Sequence, residues 1–433
     1  MAIATGSDVG SRQPQRNPIR AGLGVLAAAI LTMGLTGPGQ TIGVSVFIDH
    51  FVDDLSISRP QVSTAYLIGT LCASLLLPQV GKLIDRIGVR RSQVVIGIVF
   101  AFAIANMSLV MGLVTLTIGF FGIRLLGQGA QSLVAGLSVS LRFTEGRGTA
   151  LGIHSTVSAG LLAISPILLA TAISIFGWRG AWVAAAIVVG LVVPALALVA
   201  LRSVPTSSAE ASKLEQAQNP GTTRQFDRSE AIRTRGFWIL AAVSGAAGML
   251  TTALNFHQID LLGDVGLSST VAATLFLPQV IGSSIAGVTV GAITDRVGTR
   301  FLPALGAFLL VAAHLLAATA APGLRVVIYA IVLGAAAGSI NTVTNALLPL
   351  WFGTRNLGAI AGTIRVLGAG ASAIGPVALA LLQAQFGSYP PAILVISTVA
   401  AAAMIFSLSR PFPAGQRSDG SAKDRADLSE PGL

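Results

Sequence analysis

Along the 433 residues, apolar positions run in long unbroken stretches, and short clusters of Gly, Pro, Asn or charge separate them. A run of roughly 18 or more such residues crosses about 30 Å of hydrocarbon as an α-helix, because a spanning segment must satisfy its backbone groups internally. The punctuation predicts twelve helices, at about 20–48, 60–80, 92–112, 115–141, 148–176, 180–201, 237–262, 268–291, 300–321, 324–350, 357–386 and 389–409. One long polar interruption, 202–236, sorts them six and six. The expected fold is an all-α polytopic membrane protein with 12 transmembrane helices in two six-helix halves, 20–201 and 237–410. A tail at 1–19, the linker at 202–236 and a disordered tail at 411–433 complete the chain. Within the linker, "DRSEAIRTR" reads equally as a short helix or a solvated loop.

Composition excludes a water-soluble domain: 53% of residues are hydrophobic, 10% are charged, and the mean hydropathy is +0.80. A net charge of +10 would suggest nucleic acid in a soluble protein. Its distribution reports topology instead. With the N-terminus inside, 22 of the 27 Lys and Arg residues fall on one side of the spans. Both termini are therefore expected in the cytoplasm of a cell with the protein in its plasma (inner) membrane, with lipid and no nucleic acid as partner. The polar start with Arg12, Arg16 and Arg20 precedes an apolar run too long for a cleaved signal, so the first helix is expected to be retained. Cys72, the single cysteine, is expected to be a small packing residue. No phosphate loop, metal-ligand spacing, Ser-His-acid set or redox motif is visible. The chain is expected not to be an enzyme, to use no cofactor, to act as a monomer and to draw energy from a solute or ion gradient.

The two halves repeat at an offset of 210 residues. "GKLIDRIGVR" from Gly81 pairs with "GAITDRVGTR" from Gly291, aligning Gly81, Asp85, Arg86, Gly88 and Arg90 with Gly291, Asp295, Arg296, Gly298 and Arg300. The same register pairs Gly148 with Gly358, Pro166 with Pro376, and Phe176-Gly177 with Phe386-Gly387. A duplicated six-helix unit is the arrangement of transporters whose substrate site lies between the halves near the bilayer midplane.

On these residues the chain resembles the major facilitator superfamily, since "GKLIDRIGVRR" follows the pattern G-x-L-x-D-R-x-G-x-R of that family's loop between spans two and three. The resemblance implies secondary transport. It also implies that Asp85, Arg86 and Arg90, echoed by Asp295, Arg296 and Arg300, with the glycines Gly81, Gly88 and Gly291, latch the halves at the cytoplasmic face. Carboxylate-to-guanidinium and carboxylate-to-helix-end contacts would supply the bonds. "RFTEGRGTALG" from Arg142 and "LWFGTRNLGAIAG" from Leu350 are similar to carriers of the oxalate/formate and monocarboxylate type.

Charge within a span costs roughly 2.5–3.5 kcal/mol on insertion scales and by default faces a cavity or a partner. Two charges lie near midspan, Arg124 in "GIRLLGQGAQ" and Arg365 in "GTIRVLGAGASAIGP". Neither has a basic partner in the other repeat, where Gly334 and Ser155 stand. None of the 17 acidic residues accompanies them at depth. Two such cations invite an anion, and a guanidinium fork fits a carboxylate. The expected cargo is a small organic anion, a mono- or dicarboxylate, bridging Arg124 and Arg365 during alternating access, in proton symport or anion exchange. Arg124 has a second reading, in proton coupling or in helix packing through carbonyls. Gln40 after "GPG", Asn341 and Asn345 one turn apart, and Gln131, the repeat partner of Asn341, are candidate lining residues; interhelical hydrogen bonding is their other reading. His257, with Asp260 one turn later, is a candidate for proton coupling or a locally bonded histidine. The alternative function is proton-coupled efflux of drugs or metabolites, against which stand Ser165 before Pro166 and the lack of acids at depth.

Overall fold

The computed structural model describes residues 18–143, 147–203, 226–294, 301–353, 356–409 and 411. The first apolar run does not stay one helix. α1 (18–55) begins as Pro18–Gly34, turns tightly at Gly37–Gly39, and resumes as Thr41–Ser45 and Ile48–Leu55. Pro38 has no N–H to give the helical ladder, and its two glycine neighbours permit the turn. The N-terminal half continues with α2 (Arg59–Ile87), α3 (Val89–Met107), α4 (Leu113–Arg142), α5 (147–176) and α6 (178–200). Gly177 alone separates the last two, at φ 69° and ψ 166°, a backbone that a side chain would strain. The C-terminal half comprises α7 (Arg235–Gly263), α8 (Ser269–Ile293), α9 (Leu302–Ala318), α10 (Leu324–Phe352), α11 (Leu357–Phe386) and α12 (Tyr389–Ser407).

Among the described residues nine helices are long and apolar enough to cross a membrane. One of them runs 52 residues and is cut in two by Gly177, and the shorter Gly22–Gly34 and Leu302–Ala318 fill the remaining places, consistent with twelve crossings. Side chains such as Leu75, Val114, Val199 and Val288 stand on the outside of the bundle, where only lipid makes their exposure favourable. Cys72 is among these exposed positions, which corrects its reading as a packing residue. Hydropathy cannot separate a lipid-facing small residue from a buried one.

Local structure repeats with the sequence. Ser58 caps α2 by accepting the Gln61 N–H, and Ser268 caps α8 by accepting the Val271 N–H. Gly177 and Gly387, at φ 69° and 72°, end α5 and α11 alike. Both pairs are 210 residues apart.

Successive helices alternate in direction, so residues 18, 203, 226 and 407 share one side of the bundle, here the linker side, and the turns at 56–58 and 264–268 share the far side. Toward the far side a single apolar cluster runs through both halves, joining Phe47, Phe51, Tyr66 and Phe120 to Leu250, Phe256 and Ile259. The rings of Tyr66 and Phe256 meet across the halves at 4.7 Å. Toward the linker side the core divides. Val25, Ile84 and Val134, and separately Leu26, Val139 and Phe143, belong wholly to the first half, and Phe237, Leu347, Phe352 and Ile364 wholly to the second. The halves are thus packed together at the far side and have separate cores at the linker side.

The end of the linker forms the short helix Arg228–Ile232, started by a reciprocal cap between Asp227 and Glu230. Phe226 ties it down: its N–H donates to the Phe352 carbonyl at 3.0 Å, and its own carbonyl accepts from Asn356.

Candidate functional site

Three helices of the C-terminal half, α7, α10 and α11, enclose a cavity of about 340 Å³. Ser244 and Thr251 of α7, Asn341, Thr344 and Asn345 of α10, and Arg365 of α11 bring polar groups to a wall otherwise made by residues such as Ala247, Ile340 and Ile364. The periodicity is helical: 341, 344, 345 and 348 share one face of α10, and 361, 364, 365 and 368 share one face of α11. The hydroxyls of Ser244 and Thr344 lie 3.0 Å apart and bridge α7 to α10. Asn345 donates to Asn341 at 3.0 Å along α10. Arg365 is exposed and has no hydrogen-bonding or ionic partner among the described residues. Among the described residues no carboxylate lines the cavity. Its chemistry is therefore one full positive charge beside amides and hydroxyls, all able to donate to an oxyanion.

The structure brings Arg365, Asn341 and Asn345 together and places the other candidates elsewhere. Arg124 is 4% exposed, in a π-helical stretch of α4 that widens over Arg124–Gln131. Its Nη1 donates to the Gly39 carbonyl at 3.2 Å and to Thr41 at 3.5 Å, its Nε donates to Thr70 at 3.2 Å, and its guanidinium lies 4.8 Å from the Tyr66 ring centre. The fork is occupied by the broken turn of α1 and by α2. Gln40 donates to Thr36 at 2.9 Å within α1. Gln131 is fully buried, and neither its amide oxygen nor its nitrogen has a hydrogen-bond partner among the described residues.

Of the loop residues, Gly88 makes the turn from α2 to α3 at φ 80°. Gly81 and Gly291 are half-buried on α2 and α8, and Arg86 is exposed. Arg90 donates to the Leu198 carbonyl at 3.2 Å, inside its own half. The backbone of Asp85 is helical, but its side chain lies outside the described positions, as do Asp295, Arg296 and Arg300.

His257 and Asp260 belong to a far-side network that includes residues the sequence did not single out. Arg59 of α2 is 2.5 Å from Asp260 of α7 and 2.8 Å from Asp49 of α1, so a guanidinium of one half is paired to a carboxylate of the other. Tyr389 of α12 donates to the second oxygen of Asp260 at 2.5 Å and contacts His257 Nδ1 at 3.3 Å. His257, 1% exposed, places Nε2 3.0 Å from the Pro376 carbonyl of α11. The available signal was coarse: Arg59 is one of few basic residues on the side where Asp49 and Asp260 also lie.

Comparison with known proteins is consistent with this architecture. The Major Facilitator Superfamily pattern matches residues 21–263 and again 247–431. No curated protein sequence matches the chain. Among solved structures, the chain is similar to a bacterial homolog of the human lysosomal transporter Spinster, in an inward-facing and occupied conformation, at 18% identity and a TM-score of 0.69, over 92% of this chain and 100% of that one. It is also similar to that homolog in an inward-facing and unoccupied conformation, at 17% identity and a TM-score of 0.67, over 89% and 94%.

Proposed function

The chain belongs to the Major Facilitator Superfamily, a family of membrane transporters, and from that premise we propose that its cargo is a small organic anion, a mono- or dicarboxylate, carried by alternating access. The observation that carries this reading is Arg365, which borders the α7–α10–α11 cavity with neither a partner nor a carboxylate in the lining among the described residues. An uncompensated cation within a bilayer is costly unless water or an anion supplies the missing charge. Arg365 binds one carboxylate in a two-point contact, and Asn341, Asn345 and Thr344 take up remaining oxygens. The cavity volume is at the small end of the range of ligand sites, which favours a compact cargo.

Arg124 is assigned a different part from the bridging role the sequence suggested. Its donors are used by Gly39, Thr41 and Thr70, so it fixes the break in α1 and leaves anion contact to Arg365. The linker side is the cytoplasmic side, on the bias of Lys and Arg, and the described state is open toward it, in keeping with the separate cores there and with the inward-facing conformations of the solved structures it is similar to. The paired Asp-Arg loops at 81–90 and 291–300 latch that side in the opposite state.

The test is ligand stabilisation of the purified protein. A carboxylate series is expected to raise the unfolding midpoint where neutral sugars do not, by mass action on the folded state. Arg365→Gln is expected to remove the shift and to weaken binding about 10- to 100-fold, the loss of one charge-assisted contact of about 1.5–3 kcal/mol. A carboxylate shift that survives in Arg365→Gln sinks the assignment.

A further inference from the structure

The far-side network connects the two halves, and its contacts can accommodate one hydrogen more than neutral side chains and one carboxylate carry. The Pro376 carbonyl can only accept, so His257 Nε2 must carry a hydrogen to bond it. The Tyr389 hydroxyl has one hydrogen and gives it to Asp260. The phenol oxygen also lies 3.3 Å from His257 Nδ1, where it accepts a further hydrogen when Nδ1 is protonated. A neutral imidazole and a phenol supply two hydrogens to these three contacts. The network therefore has a place for one added proton, on the ring or passed through Tyr389 to Asp260.

We propose that His257, Tyr389 and Asp260 form a proton-binding site that is filled when the halves are closed at the far side. Charge supports it. α2 contributes Arg59, α1 contributes Asp49, and α7 contributes Asp260 and its C-cap Asp264, while among the described residues α11 brings the Pro376 carbonyl and α12 brings Tyr389. One guanidinium among three carboxylates leaves the cluster short of positive charge, and the proton on His257 moves it toward neutrality.

The site acts on the gate because Asp260 is shared. One of its oxygens takes the Tyr389 hydrogen and the other takes Arg59 from the opposite half, so the proton on the His257–Tyr389 arm holds the carboxylate in the orientation that Arg59 meets. Losing the proton breaks the His257–Tyr389 contact, leaves excess negative charge and loosens the bridge between halves. Opening then exposes the site to far-side water, where protons exchange. By linkage, a proton that favours closure is held more tightly when the gate is closed. The inference rests on the alternating-access reading above and not on the identity of the cargo.

The test measures the gate without any cargo. Spin labels at Ser56→Cys and Ser269→Cys, in a Cys72→Ser background in lipid nanodiscs, report the far-side distance between halves as pH is raised from about 5 to about 8, the range in which imidazole exchanges its proton. The ratio of short-distance to long-distance populations is expected to fall with pH, by at most tenfold per unit, the limit for one proton. His257→Gln, whose amide can donate but not titrate, and Tyr389→Phe, which cuts the arm, are each expected to abolish the pH response. A wild-type distribution that is the same at every pH, or that closes as pH rises, overturns the proposal, as does a full response in His257→Gln. If carboxylates fail to stabilise the protein, the anion reading falls while this readout is unaffected.

Discussion

The two halves share a register of 210 residues and treat their polar side chains in opposite ways. In the N-terminal half Arg124 is sealed between α1, α2 and α4, and Gln131 is fully buried. In the C-terminal half Asn341, the repeat partner of Gln131, and Asn345 and Arg365 all line a cavity. Backbone approach explains part of the difference. Gly334 stands where Arg124 stands in the first half, and a Cβ there would collide with the Gln279 carbonyl, so α8 and α10 touch backbone to backbone. No guanidinium fits. In the first half the wider π-helical stretch of α4 and the break in α1 open that space and supply the Gly39 carbonyl to fill it. Duplication set the frame, and local departures from it decide whether a cation ties helices together or faces a cavity.

The widest separation between the two arginines is expected in stability. Arg124→Ala takes the donor from the Gly39 carbonyl and the Thr70 hydroxyl at a buried site, while Thr41 keeps its bond to Tyr66, and is expected to cost about 3 kcal/mol, read as a lower unfolding midpoint in detergent. Arg365→Ala removes an exposed side chain with no partner among the described residues and is expected to stay within about 0.5 kcal/mol of wild type. Equal losses would erase the distinction between a structural and a ligand-binding arginine.

A smaller effect sharpens the second half. Asn345→Ala removes the donor that orients Asn341, and is expected to weaken anion binding by about 1 kcal/mol, roughly fivefold, with little change in stability. Titration calorimetry with the best-stabilising carboxylate checks it. Unchanged affinity would mean that the asparagine pair only packs α10.

The apolar helices were legible because hydropathy in a bilayer needs no knowledge of partners, and the repeat was legible because its markers, Ser58 with Ser268 and Gly177 with Gly387, do the same job twice. Arg365, Asn341 and Asn345 were legible for a related reason: polar side chains in apolar helices need a cavity or a partner, and one turn of helix joins the asparagines. The partners were not legible. Thr70 and Gly39 reach Arg124 from 54 and 85 residues away, and Arg59 meets Asp260 across the halves. Those pairings follow from how helices dock, and no periodicity within one helix encodes them. Ser244 and Thr251 were invisible because small hydroxylated residues are common wherever membrane helices pack closely.

The smallest expected effect carries the comparison furthest. Gln131 keeps both ends of its amide buried and without a partner among the described residues, in the register position where Asn341 lines the cavity. An unsatisfied buried amide costs about 1–3 kcal/mol, so Gln131→Leu, close in volume and without polar atoms, is expected to stabilise the described state by about 1 kcal/mol. If the amide exists to meet cargo or water once the first half rearranges, the same variant will transport more slowly although it is more stable. Unfolding midpoint and uptake rate, measured on one preparation, then move in opposite directions. A variant that is stabilised and transports at the wild-type rate would show that the first half keeps its polar groups sealed throughout the cycle, and that anion recognition belongs to α7, α10 and α11 alone.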